Sequence, residues 1–117
     1  MRLQLTSHRI DLSEDLKDFV ERRIHFALGR FTGRIKALSV RLTDVNGPRK
    51  GMDKCCAIRV NAGYGGPLIV RERQDNIYSA VALAVERAER AVQRQLSLGR
   101  TAGKGPANSR VSFQFGD

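Results

Sequence analysis

Arginine is the side chain whose number and spacing point most directly to chemistry in this sequence. The chain of 117 residues has 21 lysines and arginines against 12 acidic residues, and its net charge is +9 at pH 7. Sixteen of the basic residues are arginines. Because a guanidinium group binds phosphate through two hydrogen bonds and stacks on bases, this excess favours nucleic acid as the partner. Arginine-rich codon usage is the alternative explanation, but it would not sort the arginines in space.

Other reactive side chains are few and poorly spaced for catalysis. The two histidines, His8 and His25, belong to no metal-binding pattern, and the adjacent Cys55 and Cys56 would point to opposite faces of a strand. The glycine-rich segment 99–105 lacks the spacing of a phosphate-binding loop and the Ser or Thr after its lysine. The sequence therefore predicts no enzyme, no metal or cofactor, and no small-molecule substrate.

Two amphipathic helices would carry most of the candidate RNA-binding arginines. Apolar residues recur at spacings of three and four between residues 12 and 31. Ser13 can cap the start of this helix, and Gly29 and Gly33 are signals for its end. A second stripe starts near Asp75–Asn76 and continues to about Leu98. Both patterns predict helices with one buried face.

Four segments with alternating apolar residues predict strands around these helices. They are Leu3–Leu5, Leu38–Thr43, Cys56–Ala62 and Leu68–Arg73. The first crossover helix makes strands one and two parallel, and the next two connections form a meander. The expected fold is therefore α+β, in the order β-α-β-β-β-α, with a four-stranded mixed sheet and two helices packed on one face.

On these helices the arginines form two outward groups. Arg87, Arg90 and Arg94 share one ridge of the second helix, whereas Arg22, Arg23 and Arg30 lie on or just after the first. Supporting contacts are expected from nearby basic residues, which are Arg34, Lys36, Arg49, Lys50 and Lys54. Such side chains would position RNA through its phosphates without reading bases. Because both helices would cover the same sheet face, the two groups can converge on one surface.

The last part of the chain differs in composition from the rest. Residues 1–98 are expected to form one domain, and residues 99–117 a flexible glycine-rich tail. Within this tail, Val111–Phe115 alternates like a strand, which could pair with a sheet edge of this chain or of a second copy. No apolar run is long enough to span a membrane, and no signal peptide is visible, so the expected location is the cytoplasm.

Four short motifs, in this order and spacing, resemble one known family. They are Leu3–Ile10 (LQLTSHRI), Leu12–Leu16 (LSEDL), Val20–Arg23 (VERR) and Asp75–Val81 (DNIYSAV). With them, residues 1–98 resemble the ribosome hibernation-promoting factors, also called ribosome-associated inhibitor A or sigma-54 modulation proteins. The resemblance implies binding to ribosomal RNA in the tRNA and mRNA channel of the small ribosomal subunit. It also implies inhibition of translation during stress or stationary phase, with RNA contacts from basic residues of the two helices.

The chain departs from this family at three places, and two other functions stay open. Ala82 stands where an acidic residue is usual, segments 46–54 and 63–67 look atypical, and a C-terminal dimerisation domain is absent from the sequence. One alternative is a general binding domain for structured or double-stranded RNA. The other is a protein-interaction module that uses the Val111–Phe115 strand.

Overall fold

The computed structural model describes residues 2–45, 53–62 and 66–104, with side chains up to residue 97. Its strands are β1 (Arg2–His8), β2 (Ala37–Asp44), β3 (Lys54–Asn61) and β4 (Leu68–Gln74). Its helices are α1 (Glu14–Leu28) and α2 (Ile77–Lys104), and a 3₁₀ turn, Gly29–Phe31, follows α1. The predicted α+β class and the order β-α-β-β-β-α are confirmed.

The sheet has the spatial order β1-β2-β3-β4. β1 and β2 are parallel, because α1 carries the chain back across the sheet between them. β2, β3 and β4 pair in antiparallel fashion as a meander. The sheet is therefore mixed, as predicted, and β1 and β4 are its edge strands.

Alternation along the strands divides the sheet into a covered face and an open face. Leu38, Val40 and Leu42 of β2 are buried, and so are Ile58 and Val60 of β3. Buried residues of both helices join them in one core cluster. Both helices thus cover the same face, because only that face offers apolar side chains to bury. The intervening residues of each strand point to the opposite, open face.

Side chains cap the first turn of each helix. The hydroxyl Oγ of Ser13 accepts a hydrogen bond from the backbone N–H of Leu16 at 3.2 Å, which confirms the predicted cap of α1. At α2, the side-chain oxygen of Asn76 accepts from the N–H groups of Tyr78 at 2.7 Å and Ser79 at 3.4 Å. These contacts satisfy N–H groups that have no partner within the helix.

The C-terminal helix is longer than predicted. α2 ends at Lys104, whereas the sequence pattern predicted an end near Leu98. Gly99 and Gly103 each disfavour helix by about 1 kcal/mol relative to alanine, but the intervening residues include good helix formers and no proline. The division of the chain at residue 98 stays a prediction, and the expected strand Val111–Phe115 lies outside the described residues. Within the described part of the chain, neither helix combines the length and apolarity needed to cross a membrane.

Candidate nucleic-acid interface

Two arginines of α1 lie on its exposed surface. Arg22 is exposed, and so is Arg23, whose guanidinium carbon lies 5.7 Å from the centroid of the Phe19 ring. The Phe19 ring in turn meets Tyr78 of α2 edge-on, with 4.9 Å between ring centroids. The Arg23 side chain therefore packs against the Phe19 ring, and its guanidinium group remains exposed to solvent.

Arg30 connects the end of α1 to the middle of α2. Its Nη2 donates to the carboxylate of Glu89 at 3.2 Å and lies 3.4 Å from the side-chain oxygen of Gln93. Its guanidinium carbon also lies 4.6 Å from the centroid of the Phe31 ring. Arg30 is thus held on the side of α2 that faces α1.

The predicted ridge of α2 is present, but its members point in different directions. Arg87 Nη1 donates to the backbone oxygen of Arg71 at 2.7 Å and to the carboxylate of Glu72 at 3.0 Å, so it leans towards β4. Arg90 forms an i,i+4 ion pair with Glu86 at 3.6 Å. Arg94, one turn further, is exposed.

The two arginine groups are separated by acidic residues of α2. Glu89 faces α1 through its contact with Arg30, and Arg87 lies on the opposite flank beside β4. Glu86 pairs with Arg90 between them. The expected convergence of the two groups on one surface is therefore interrupted by carboxylates. The i,i+4 spacing of Glu86 and Arg90 already allowed their pair, but the contacts of Glu89 with Arg30 and of Arg87 with Glu72 depend on how α2 is rotated against its neighbours.

Phe26 is a surface aromatic that the sequence analysis missed. Its side chain is 91% exposed, although it belongs to an amphipathic helix. With Arg23, Ala82 and Glu86 it lines a shallow cleft between the two helices. The signal in the sequence was its position outside the apolar stripe, since a phenylalanine there has no core to enter. An exposed ring beside an arginine can stack on an unpaired base.

The supporting basic residues have different environments. Lys54 lies between two acids, with Nζ 3.1 Å from Asp53 Oδ1 and 3.4 Å from Asp44 Oδ2. Its hydrogen bond to Asp53 raises its pKa, and Asp44 adds to the effect. The positive charge of Lys54 therefore offsets the two carboxylates, and this gives Lys54 a structural role between β2 and β3.

The remaining supporting positions are less constrained by acidic neighbours. Arg34 and Lys36 are exposed, and Arg34 lines a cleft with Arg30 and Gln93. Arg34 therefore extends the surface formed by the end of α1. Arg49 and Lys50 lie outside the described residues.

Side chains that could bind a metal ion form no cluster in the described part of the chain. No group of three or more His, Cys, Asp or Glu side chains there could hold a metal ion. Cys56 is buried in the core, and this burial raises the pKa of its thiol to about 12. Cys55 is half-buried on the other face of the strand, as the alternation of β3 predicts.

Comparison with known proteins places the chain among relatives of the same fold. The N-terminal domain of Thermus thermophilus protein Y is 23% identical, with a TM-score of 0.65, and the match covers 80% of this chain and 98% of that one. A ribosomal subunit interface protein from Coxiella burnetii is 19% identical, with a TM-score of 0.69, and the match covers 83% and 99%. No curated protein sequence matches the chain.

The family itself is shown by a sequence model. Residues 3–97 match the model of the sigma-54 modulation protein / S30EA ribosomal protein family. This stretch contains all four motifs on which the resemblance was based, together with every described strand from Leu3 onwards and most of α2. The expected family is thus confirmed: the chain belongs to the sigma-54 modulation protein / S30EA ribosomal protein family.

Proposed function

We propose that the protein binds the small ribosomal subunit in its tRNA and mRNA channel and inhibits translation during stress or stationary phase. The match of residues 3–97 to the family model carries this proposal. One of the structural neighbours is named as a ribosomal subunit interface protein, which is consistent with it. The net charge of +9 suits a partner made largely of RNA.

The helix arginines are the residues proposed to contact ribosomal RNA. They are Arg22, Arg23, Arg30, Arg87, Arg90 and Arg94. Three of them are paired with carboxylates in the free protein, at distances of 3.0–3.6 Å. Exposed ion pairs contribute only about 0–1 kcal/mol, so exchanging a carboxylate for a phosphate costs little. Release of counterions from the RNA then favours the bound state.

Phe26 adds a contact of another kind. Its exposed ring lies in the same cleft as Arg23, so an unpaired base could stack on the ring while its phosphate contacts the guanidinium. This combination favours folded RNA with accessible bases over a regular duplex, in which the bases are stacked on each other.

Co-sedimentation with purified small subunits tests the ribosome as target. We expect the wild-type protein to sediment with the subunits and the double variant Arg22→Gln/Arg90→Gln to bind more weakly. The control is Lys17→Gln, which removes an exposed cation near the acidic start of α1. Absence of the wild-type protein from the subunit fraction would exclude the ribosome as target. Full binding by the double variant would exclude the helix arginines as the contact surface.

Inhibition and the site in the channel need a second measurement. In cell-free translation, the wild-type protein should reduce product yield, and Arg22→Gln/Arg90→Gln should reduce it less at the same concentration. Prior loading of the subunits with mRNA and initiator tRNA should lower the amount of protein bound, because both would occupy the channel. Equal binding to loaded and empty subunits would place the protein elsewhere on the subunit.

A further inference from the structure

The helices do not account for the positive charge of this protein. α1 and the part of α2 up to residue 97 together contain six acidic and six basic residues, if histidine is counted as neutral. The surface that the helices present is therefore balanced on average, with arginines set among carboxylates. Two further positive charges, Arg100 and Lys104, belong to the end of α2, and the rest of the excess lies outside the helices.

Much of the excess lies on the open face of the sheet. The residues of this face alternate with the buried ones along each strand, and five of them are arginines: Arg2, Arg41, Arg59, Arg71 and Arg73. All five are exposed. The two acidic residues within the strands, Asp44 and Glu72, lie in register with residues of the covered face. No strand residue of the open face is acidic.

The strand register places these arginines close together. Arg41 of β2 and Arg71 of β4 both pair with Ala57 of β3, so they flank its small side chain in one row across the sheet. Their backbones are about 10 Å apart, since neighbouring strands are separated by about 4.8 Å. Arg59 and Arg73 belong to the rows on either side of this one. The result is a continuous basic strip across the sheet.

One end of this strip is concave. Arg2 and Arg59 line a shallow depression of about 190 Å³, together with Gln4, Ser39 and Asn61. Its rim therefore combines two guanidinium groups with amide and hydroxyl groups. A phosphate group seated there would meet hydrogen-bond donors from three neighbouring strands.

The five arginines have no acidic partner within the described residues. None of them forms an ion pair there, in contrast to Arg30, Arg87 and Arg90 of the helix surface. The parts of the chain outside the described residues contain a single acidic residue, Asp117. Like charges that lie near each other on a surface repel, and an anionic partner would relieve that repulsion.

We infer that the open sheet face is a second RNA-binding surface, which holds a phosphate backbone without reading its sequence. No phenylalanine, tyrosine or tryptophan lies on this face among the described strands, so contacts of arginine with phosphate are its main mode of binding. The face is opposite the helices, and the domain would therefore be held between two segments of RNA. This inference goes beyond the proposed function and does not require the RNA to be ribosomal.

Cys55 provides a probe of this surface in the natural protein. It lies on the open face, and Arg73 is its cross-strand partner. Cys56 is buried and keeps its proton, so iodoacetamide should modify Cys55 alone in the folded protein. We expect a 20-nucleotide oligouridylate, and separately purified small subunits, to slow modification of Cys55. Unchanged modification at saturating concentrations of both would show that RNA does not cover this face.

A pair of variants compares the sheet face with the helix surface. Arg41→Gln/Arg71→Gln and Arg22→Gln/Arg90→Gln each remove two positive charges from exposed positions. The sheet variant should bind oligouridylate more weakly, and the slope of log K against log salt should become less steep by roughly 1–2. The helix variant should leave Cys55 fully protected at saturating RNA. Wild-type affinity and slope in the sheet variant would overturn the inference.

Further measurements distinguish RNA binding by the sheet face from a loss of stability, from binding of acidic polypeptides and from the proposed ribosomal function. Thermal unfolding should show that the sheet variant is at least as stable as the wild-type protein, because it loses repelling charges and no described ion pair. If poly-glutamate protects Cys55 and RNA does not, the face binds acidic polypeptides and the inference is wrong. If oligouridylate protects Cys55 but the protein does not sediment with small subunits, the sheet face binds RNA and the proposed ribosomal function fails.

Discussion

Phe26 exposes 91% of its side chain, whereas the other two described phenylalanines, Phe19 and Phe31, pack against the core. An exposed ring contributes little to the free energy of unfolding, because it is solvated in both the folded and unfolded states. Its large apolar surface is therefore available to a ligand. The neighbouring Arg23 makes a nucleic-acid base the ligand whose chemistry fits best.

Replacement of Phe26 should separate binding from stability. Phe26→Ala is expected to weaken binding to small subunits by about 1–3 kcal/mol, the range measured for one base–aromatic stack. The thermal unfolding midpoint should stay unchanged. Phe26→Trp should retain binding because it preserves a stacking surface.

A matched control for Phe26 is available at another exposed apolar residue. Val45 is 42% exposed and lies just after β2, away from the helix cleft. Val45→Ala should leave binding intact. Equal losses for the two alanine variants would mean that general surface hydrophobicity, and not stacking by Phe26, contributes to affinity.

Cys56 has the opposite environment and gives a dependence on pH. Burial raises the pKa of its thiol from 9.0 to about 12 in the folded protein. Between these values the unfolded chain loses the proton and the folded chain keeps it, so rising pH favours unfolding. We expect the free energy of unfolding to fall above pH 9 by up to about 1.4 kcal/mol per pH unit from this group.

Denaturant unfolding at pH 8, 9 and 10 measures this effect. Cys56→Val, which is close in size and has no titrating group, should show a smaller decrease over the same range. Cys55→Ser controls for the half-buried thiol next to it and should retain the decrease. A decrease of the same size in Cys56→Val would assign the alkaline sensitivity to other groups.

At the scale of elements, α2 is the helix that contacts β4 on one side and the segment after α1 on the other. It contacts β4 through Arg87, and the buried Gln95 donates from Nε2 to the backbone oxygen of Gly66 at 3.2 Å. Gly66 has a φ of 81°, a conformation that glycine adopts without strain. Through Arg30, the same helix also contacts the segment after α1. The position of α2 therefore determines where the candidate arginines lie.

The cap of α2 should contribute measurably to stability. Asn76→Ala removes the side-chain oxygen that accepts from Tyr78 and Ser79, and we expect a loss of about 1 kcal/mol in the free energy of unfolding. Asn76→Asp should retain or slightly increase stability, because a carboxylate also interacts favourably with the helix dipole. Chemical denaturation of the three proteins provides the comparison. An alanine variant as stable as the wild type would show that the cap is replaced by solvent.

At the scale of the whole molecule, the arginines are distributed over two opposite surfaces of different electrostatic character. The helix surface contains arginines paired with carboxylates, and the sheet surface contains arginines without acidic neighbours in the described strands. A phosphate that binds to the first surface would replace ion pairs within the protein. The second is suited to any phosphate backbone.

Salt dependence reports on the two surfaces together. With six phosphate contacts from the helix arginines alone, affinity for small subunits should fall by about 10³-fold between roughly 50 and 200 mM salt. Contacts from the sheet face should make this dependence steeper. Binding measured across this range in sucrose gradients or by filter retention gives the slope. A slope that corresponds to one or two phosphates would be incompatible with both surfaces.

Sequence patterns determined much of this fold because they record local physical preferences. The alternation in the strands, the stripe from Leu16 to Leu28 and the cap at Ser13 each reflect a local requirement for burial or hydrogen bonding. The crossover rule then gave the parallel pairing of β1 and β2. The family motifs between residues 3 and 97 identified the family.

The arrangement of charges between elements was decided only by the tertiary structure. Arg30 meets Glu89 across 59 positions of sequence, and Arg87 meets Glu72 across 15. Helix patterns assign each arginine to an outward face but do not give the rotation of one helix against its neighbours, so they did not predict the contact of Glu89 with Arg30 or that of Glu72 with Arg87. The same holds for the sheet: Arg41 and Arg71 become neighbours of Ala57 only through strand register. The sequence by itself thus determined that the protein is rich in arginine, and the fold determined which of the described arginines pair with carboxylates and which lie on the open face of the sheet.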